Sequence, residues 1–259
     1  MEIGYKVTGL TGIQKSLELI GNDLSFAMAK ALTKTAYAVK PKVVDKMKTV
    51  FDRPTPYSLN SLWVSPATKD RLESTIKLKD EKDKGGTEAH KYLGPEIFGG
   101  DRNLKRFEIA LQYAGVLPKN MFIVPGAGAE IDRYGNMNNG QIIKILSYFK
   151  AFEMTLGRRA NITDKRKAKM AKGIKNRRVS NLGISYFSLQ NRKNGLPPGI
   201  YQKVSYANSK KIKPVMIFVK KPMYNGIFAF YDIIEEEVNK RWWDIFSKSL
   251  SETIRHGGL

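Results

Sequence analysis

The stretch ISYFSLQNRKNGLPPGIYQKVSYANSKKIKPVMIFVK, residues 184–220, decides the fold class. Three runs rich in β-branched and aromatic residues, 184–189, 199–206 and 214–220, are separated by the turn-forming sequences RKNGLPP and ANSKK. Short strands joined by such turns predict an antiparallel meander. Upstream, residues 2–8 alternate Ile3, Tyr5 and Val7 as a short strand. Segments 60–66 and 72–79 form a second antiparallel pair, and FIVPG at 121–125 a further extended piece. The charged, glycine-ended run 80–86 is expected to be a solvated turn.

Helical periodicity flanks these strands. Ile13, Leu17 and Ile20 begin one stripe, and Gly21–Asn22 can break it. A second helix then runs from Leu24 through Val39, Val43 and Met47 to Phe51, with Pro41 expected to kink it. Residues 88–115 form two short helices around GGDRN at 99–103, and 141–152 another. The last helix, 228–254, carries Ile234, Val238, Trp242, Ile245, Phe246 and Leu250 on one stripe. Strands and helices do not alternate regularly, which argues against a doubly wound parallel sheet. The expected fold is α+β: a mainly antiparallel sheet packed by long N- and C-terminal helices, with a basic loop or insertion. Residues 1–259 are read as a single domain.

Composition narrows the chemistry. With 45 Lys+Arg against 24 Asp+Glu the chain carries a formal +21, a field that attracts polyanions and acidic protein surfaces. There are no cysteines, so disulfides and thiolate chemistry are excluded. His90 and His256 lie 166 positions apart, and with no cysteine a zinc site has no ligand set. The N-terminal residues show no secretory-signal pattern and no window reaches 18 apolar residues, so neither secretion nor a membrane span is expected. PGAGAEID at 125–132 lacks the G-K-[ST] ending of a phosphate loop and reads as a tight turn needing small residues. Glu96, Asp101, Glu108, Glu130 and Asp132 could hold a divalent ion, but their spacing does not demand one. The chain is expected to be no enzyme and to need no cofactor.

Two basic clusters are the candidate contact residues. From Arg158 to Arg178 there are ten basic residues and one acid, Asp164: Arg158, Arg159, Lys165, Arg166, Lys167, Lys169, Lys172, Lys175, Arg177 and Arg178. With little apolar surface to bury, 157–181 is expected to be a mobile loop or a marginal basic helix in the free protein. Its ligand can be a nucleic-acid backbone or an acidic protein. No aromatic lies between 157 and 185, which argues against base stacking on single strands. The second cluster, Arg102, Lys105 and Arg106, is expected to face a partner subunit. The competing reading of these residues with Glu108 is salt-bridged capping of a helix start.

FDRPTPYSLNSLWVSPAT (51–68), KYLGPEIFGGDRNLKRFEIAL (91–111) and GVLPKNMFIVPGAGAEIDRYGNMNNGQIIKILSYF (115–149), with LPPGIY at 196–201, together resemble the minor tail protein Z family of tailed phages, also called tail completion proteins. The resemblance covers about residues 20–220, and the central hundred carry most of it. It implies a non-enzymatic role at the head-proximal end of the tail or in the neck. The implied partners are the tail terminator, tube or connector proteins, with the genomic DNA end close by. It implies virion localisation after synthesis in a bacterial cytoplasm. No membrane partner is expected, and a homo-oligomeric ring is expected only in the assembled particle. The alternative is a sequence-independent DNA-binding protein holding the genome end near the neck.

Overall fold

The computed structural model describes residues 4–7, 22–79, 87–152, 161–176, 179–206 and 209–257. In chain order the elements are β1 (Gly4–Val7), α1 (Asn22–Val50), α2 (Pro56–Leu59), β2 (Leu62–Ser65), β3 (Ser74–Leu78), α3 (Ala89–Phe98) and β4 (Gly100–Asp101). Then follow α4 (Arg106–Tyr113), β5 (Met121–Pro125), α5 (Asn139–Tyr148), α6 (Asp164–Lys172), β6 (Ile174–Asn176) and β7 (Val179–Asn181). The chain ends with β8 (Gly183–Leu189), β9 (Gly199–Tyr206), β10 (Ser209–Lys220), β11 (Met223–Tyr224) and α7 (Phe230–Gly257). The fold is α+β, with antiparallel sheets and long helices toward both ends. Sequence reading treats the chain as one domain; its contacts fall into two compact units, Met1–Gly100 with Tyr224–Leu259, and Asp101–Met223.

In the first unit β1, β3 and β2 form an antiparallel sheet in that order. Alternation puts Leu62, Val64, Ile76 and Leu78 on its buried face. Helix α1 lays Met28, Leu32, Ala36, Val39, Val43 and Met47 into the same core, every three or four residues, as a single helical stripe requires. Helix α7 adds Phe230, Ile234 and Val238. Pro41 lies inside α1, and its exposed position spares the core the unmatched carbonyl. The helix expected over Ile13–Ile20 and the turn at 80–86 lie outside the described residues.

Near the other end of α1, Lys30 and Lys34 lie 2.8 and 3.0 Å from Glu252 of α7. Their hydrogen bonds, from Lys30 first and then Lys34, and their charges hold the Glu252 carboxyl at about 2. A side-chain NMR titration should therefore show Glu252 ionised down to about pH 2. In a Lys30→Ala/Lys34→Ala variant its midpoint should return to the ordinary glutamate range. The group's folded-state value is depressed, so any stability it contributes is complete above the unfolded value and is lost as pH falls toward the folded one.

The second unit is built on the antiparallel sheet β5-β10-β9-β8. Its core joins Ala110 and Leu111 of α4, Ile145 and Leu146 of α5, and Ile123, Tyr186, Ile200, Val215, Met216 and Phe218 of the strands. The meander over 184–220 is present, but β10 starts at Ser209, five residues before the expected Pro214. The run ANSKK reads as turn, yet its Lys210 and Lys211 already pair with Ser205 and Val204, as Ile212 and Lys213 do with Lys203 and Gln202. Pro214 is accommodated because the register shifts between Pro214 and Met216, a bulge that tolerates a residue without a donor.

Candidate functional site

The second unit contains a buried ion pair. Glu108, in the first turn of α4, is 0% exposed. Arg102 approaches it with both terminal nitrogens, Nη1 at 2.7 Å from Oε2 and Nη2 at 2.6 Å from Oε1. The same carboxylate accepts the backbone amide of Lys105 at 2.6 Å, which caps α4, and that of Ile123 in β5 at 2.7 Å. Burial pushes the Glu108 carboxyl up, but the hydrogen bonds from Arg102, Lys105 and Ile123 outweigh it, and the group lies below the ordinary glutamate value. Every lone-pair direction of the carboxylate is thus matched.

This pair also closes a sheet edge. Strand β5 is the outer strand, and Ile123 stands opposite Phe218 of β10. The outward amide of Ile123 donates to Glu108, and its outward carbonyl accepts from Arg102 Nη2 at 3.3 Å. One carboxylate and one guanidinium therefore replace a neighbouring strand, which blocks edge-to-edge pairing at this point. The Arg102 guanidinium also lies 4.8 Å from the centre of the Phe122 ring.

Beside the pair an open groove of about 780 Å³ is lined by Leu104, Ile109, Gln112, Tyr113, Lys119, Asn120 and Phe122, with Arg102 and Lys221. Lys221 is ion-paired with Asp101. Tyr113 is 66% exposed and Lys119 is exposed. Sequence reading missed this groove: Tyr113 looks like a helix-end residue and Lys119 like a turn lysine.

The glycine-rich stretch is a structural turn. The amides of Gly126 and Gly128 donate to the carbonyls of Val215 and Pro214 at 2.9 and 2.7 Å. A Cβ on Gly126 would stand 2.4 Å from the Pro214 oxygen. Gln141 then ties this loop to α5, its Oε1 accepting the Glu130 amide at 2.8 Å. Asn138 caps α5 by accepting from the amides of Gly140 and Gln141. Asn138→Ala should lower the unfolding free energy by about 1 kcal/mol, read from the shift of the urea midpoint at constant m-value.

Of the cluster Arg102, Lys105 and Arg106, Arg102 directs its guanidinium at Glu108, contrary to the expected partner-facing placement, and Lys105 occupies the cap position with an exposed side chain. Arg106 opens α4 and is exposed. The capping reading describes Arg102 and Lys105. A helix sits within the basic segment: α6 is capped by Thr163, whose hydroxyl accepts the Arg166 amide, and is anchored inward by Met170. Lys165, Arg166, Lys169 and Lys172 are exposed along it, while Lys167 lies over the Tyr148 ring. Lys175 lies in β6, without a described side chain; Arg158, Arg159, Arg177 and Arg178 fall outside the described residues. Among the candidate carboxylates, Asp101 pairs with Lys221 and Asp132 accepts the amides of Tyr134 and Asn136. No group of three His, Asp or Glu able to hold a metal ion occurs among the described residues, and no helix among them is long and apolar enough to cross a membrane.

No protein family, curated protein or solved structure matches this chain.

Proposed function

We propose that this chain is a structural minor tail or tail completion protein of a tailed phage, acting at the head-proximal end of the tail or the head–tail junction. The observation that carries the reading is what the motif residues do. GGDRNLKRFE supplies the Arg102–Glu108 pair, FIVPGAG folds its glycines against β10, and in LPPGIY the Tyr201 hydroxyl donates to the Pro197 carbonyl at 2.6 Å. Gly199 of the same motif passes so close to β10 that a Cβ would lie 2.4 Å from the Met216 oxygen. These residues organise a rigid scaffold, which suits a subunit whose work is to hold position among neighbours. The groove beside Arg102 exposes Tyr113, an aromatic of the kind enriched in protein contacts.

Particles produced without this chain should show filled heads and tails that are unfinished or unjoined in negative stain. Fully joined, infectious particles would overturn the reading. Within an intact phage, Tyr113→Ala should leave the circular dichroism spectrum unchanged and lower incorporation of the chain into tails severalfold. Unchanged incorporation would remove the groove from the interface.

A further inference from the structure

We infer that the outward face of α6 docks on the phosphate backbone of a nucleic-acid duplex. The inference stands apart from the tail reading, because it rests on the helix alone.

Lys165, Ala168, Lys169 and Lys172 follow the i, i+3, i+4, i+7 spacing of one helical face, and all four are exposed. The opposite face holds the helix down. Met170 packs into the core of the second unit, Lys167 lies 4.9 Å from the Tyr148 ring centre, and the Ala171 carbonyl lies so close to Gly183 that a Cβ there would approach within 2.2 Å. The lysine stripe is thus fixed outward by packing on the other side. With Gly173, its four residues line a shallow depression of about 350 Å³, concave because Ala168 stands between the lysines.

Lys169 and Lys172 lie in the last turn, where the helix dipole favours cations, but the start of the helix is mismatched. Lys165 and Arg166 occupy the first turn, where the helix dipole favours anions, and only Asp164 has the right sign. No carboxylate among the described residues lies within ion-pair distance of Lys165, Lys169 or Lys172; the Asp164 carboxylate is shared by Lys150 and Lys167. Three like charges along one stripe repel each other, and a polyanion relieves both that repulsion and the first-turn mismatch.

The composition of the face selects the polyanion. Protein interfaces are built around Trp, Tyr, Arg and other large anchors and are depleted in lysine. This stripe contains only lysine and alanine. Lysine is a point charge that serves phosphate without demanding the planar geometry of a carboxylate. No aromatic lies on the stripe, so it has nothing on which unpaired bases could stack. Duplex contact should therefore be indifferent to base sequence and driven by counterion release.

The test is fluorescence anisotropy of the full chain with a labelled 20-base-pair duplex of arbitrary sequence across a salt series. Lys165→Gln/Lys169→Gln/Lys172→Gln should make the log–log salt slope shallower by roughly 2–3, about 0.9 for each lost phosphate contact. A control of equal charge change at exposed sites on other elements, Lys42→Gln/Lys46→Gln/Lys193→Gln, should leave the slope within about 1 of the parent. The single variant Lys169→Gln should shift it by about 0.9, which keeps the test open if the triple variant misfolds. Equal effects of the two triple variants would mean diffuse attraction by net charge and would overturn the proposal. So would undetectable duplex binding at 50 mM salt, and binding of poly-glutamate through these lysines in its absence would assign the face to an acidic protein instead.

Discussion

Arg102→Ala should destabilise the Asp101–Met223 unit by roughly 3–5 kcal/mol, the range found when one partner of a buried ion pair is removed. The size follows from what is left behind. Glu108 is 0% exposed, and without the guanidinium its carboxylate keeps only the two backbone amides of Lys105 and Ile123. The Ile123 carbonyl and the Phe122 ring lose a neighbour at the same time. A double variant, Arg102→Met/Glu108→Leu, removes both charges and should recover much of the loss, because an apolar pair needs no compensating charge. Urea denaturation of the three proteins checks the ranking. The pH profile gives a second readout. The folded-state value of Glu108 is depressed, so its contribution is complete above the unfolded value of about 4.3 and fades as pH falls below it. Glu108→Gln should unfold more easily at neutral pH yet lose less further stability on acidification than the parent.

Phe230→Ala should cost the other unit about 3–5 kcal/mol. Phe230 is 0% exposed at the start of α7, with the Phe228 ring 6.1 Å and the Tyr231 ring 5.3 Å from it. It packs in the same core as Met28, Leu32 and Ile234, so truncation leaves a cavity bounded by helix and sheet residues that cannot all collapse inward. Phe230→Leu, which refills most of that volume, should cost appreciably less. Equal losses for the two variants, measured by thermal or urea unfolding, would place the effect in the helix start and not in the core.

Much of the fold is legible in the residues. The strands at 62–65, 74–78, 183–189 and 199–206 declare themselves by β-branched and aromatic runs between turn formers, and α1 and α7 by long apolar stripes. Elements decided by charge or by distant contacts are harder to read. The first third of β10 is lysine-rich, and only its pairing with β9 makes it a strand. Helix α6 reads as either a mobile loop or a marginal basic helix because one residue, Met170, supplies the apolar anchor. The division into two units depends on α7 returning to α1 across some 180 residues of chain, which no local pattern records. The Arg102–Glu108 pair is legible only as the competing reading, salt-bridged capping of a helix start, and its burial and its tie to the sheet are not. A spacing of six is no helical pair, and the amide that completes the site, Ile123, lies fifteen residues beyond. Charge made Arg102 look like an outward contact, whereas burial turns it into the clasp of a sheet edge. The groove with Tyr113 and Lys119 becomes visible only once α4, β5 and the turn between them are in place.

The central claim, that the chain is a structural component at the head-proximal end of a tail, is tested most directly by locating it. A small epitope tag at the C-terminus, labelled with gold on purified particles and on isolated tails, should place the chain at the head-proximal tip of the tail or in the neck. Label absent from particles, or spread along the tail shaft, would contradict the account.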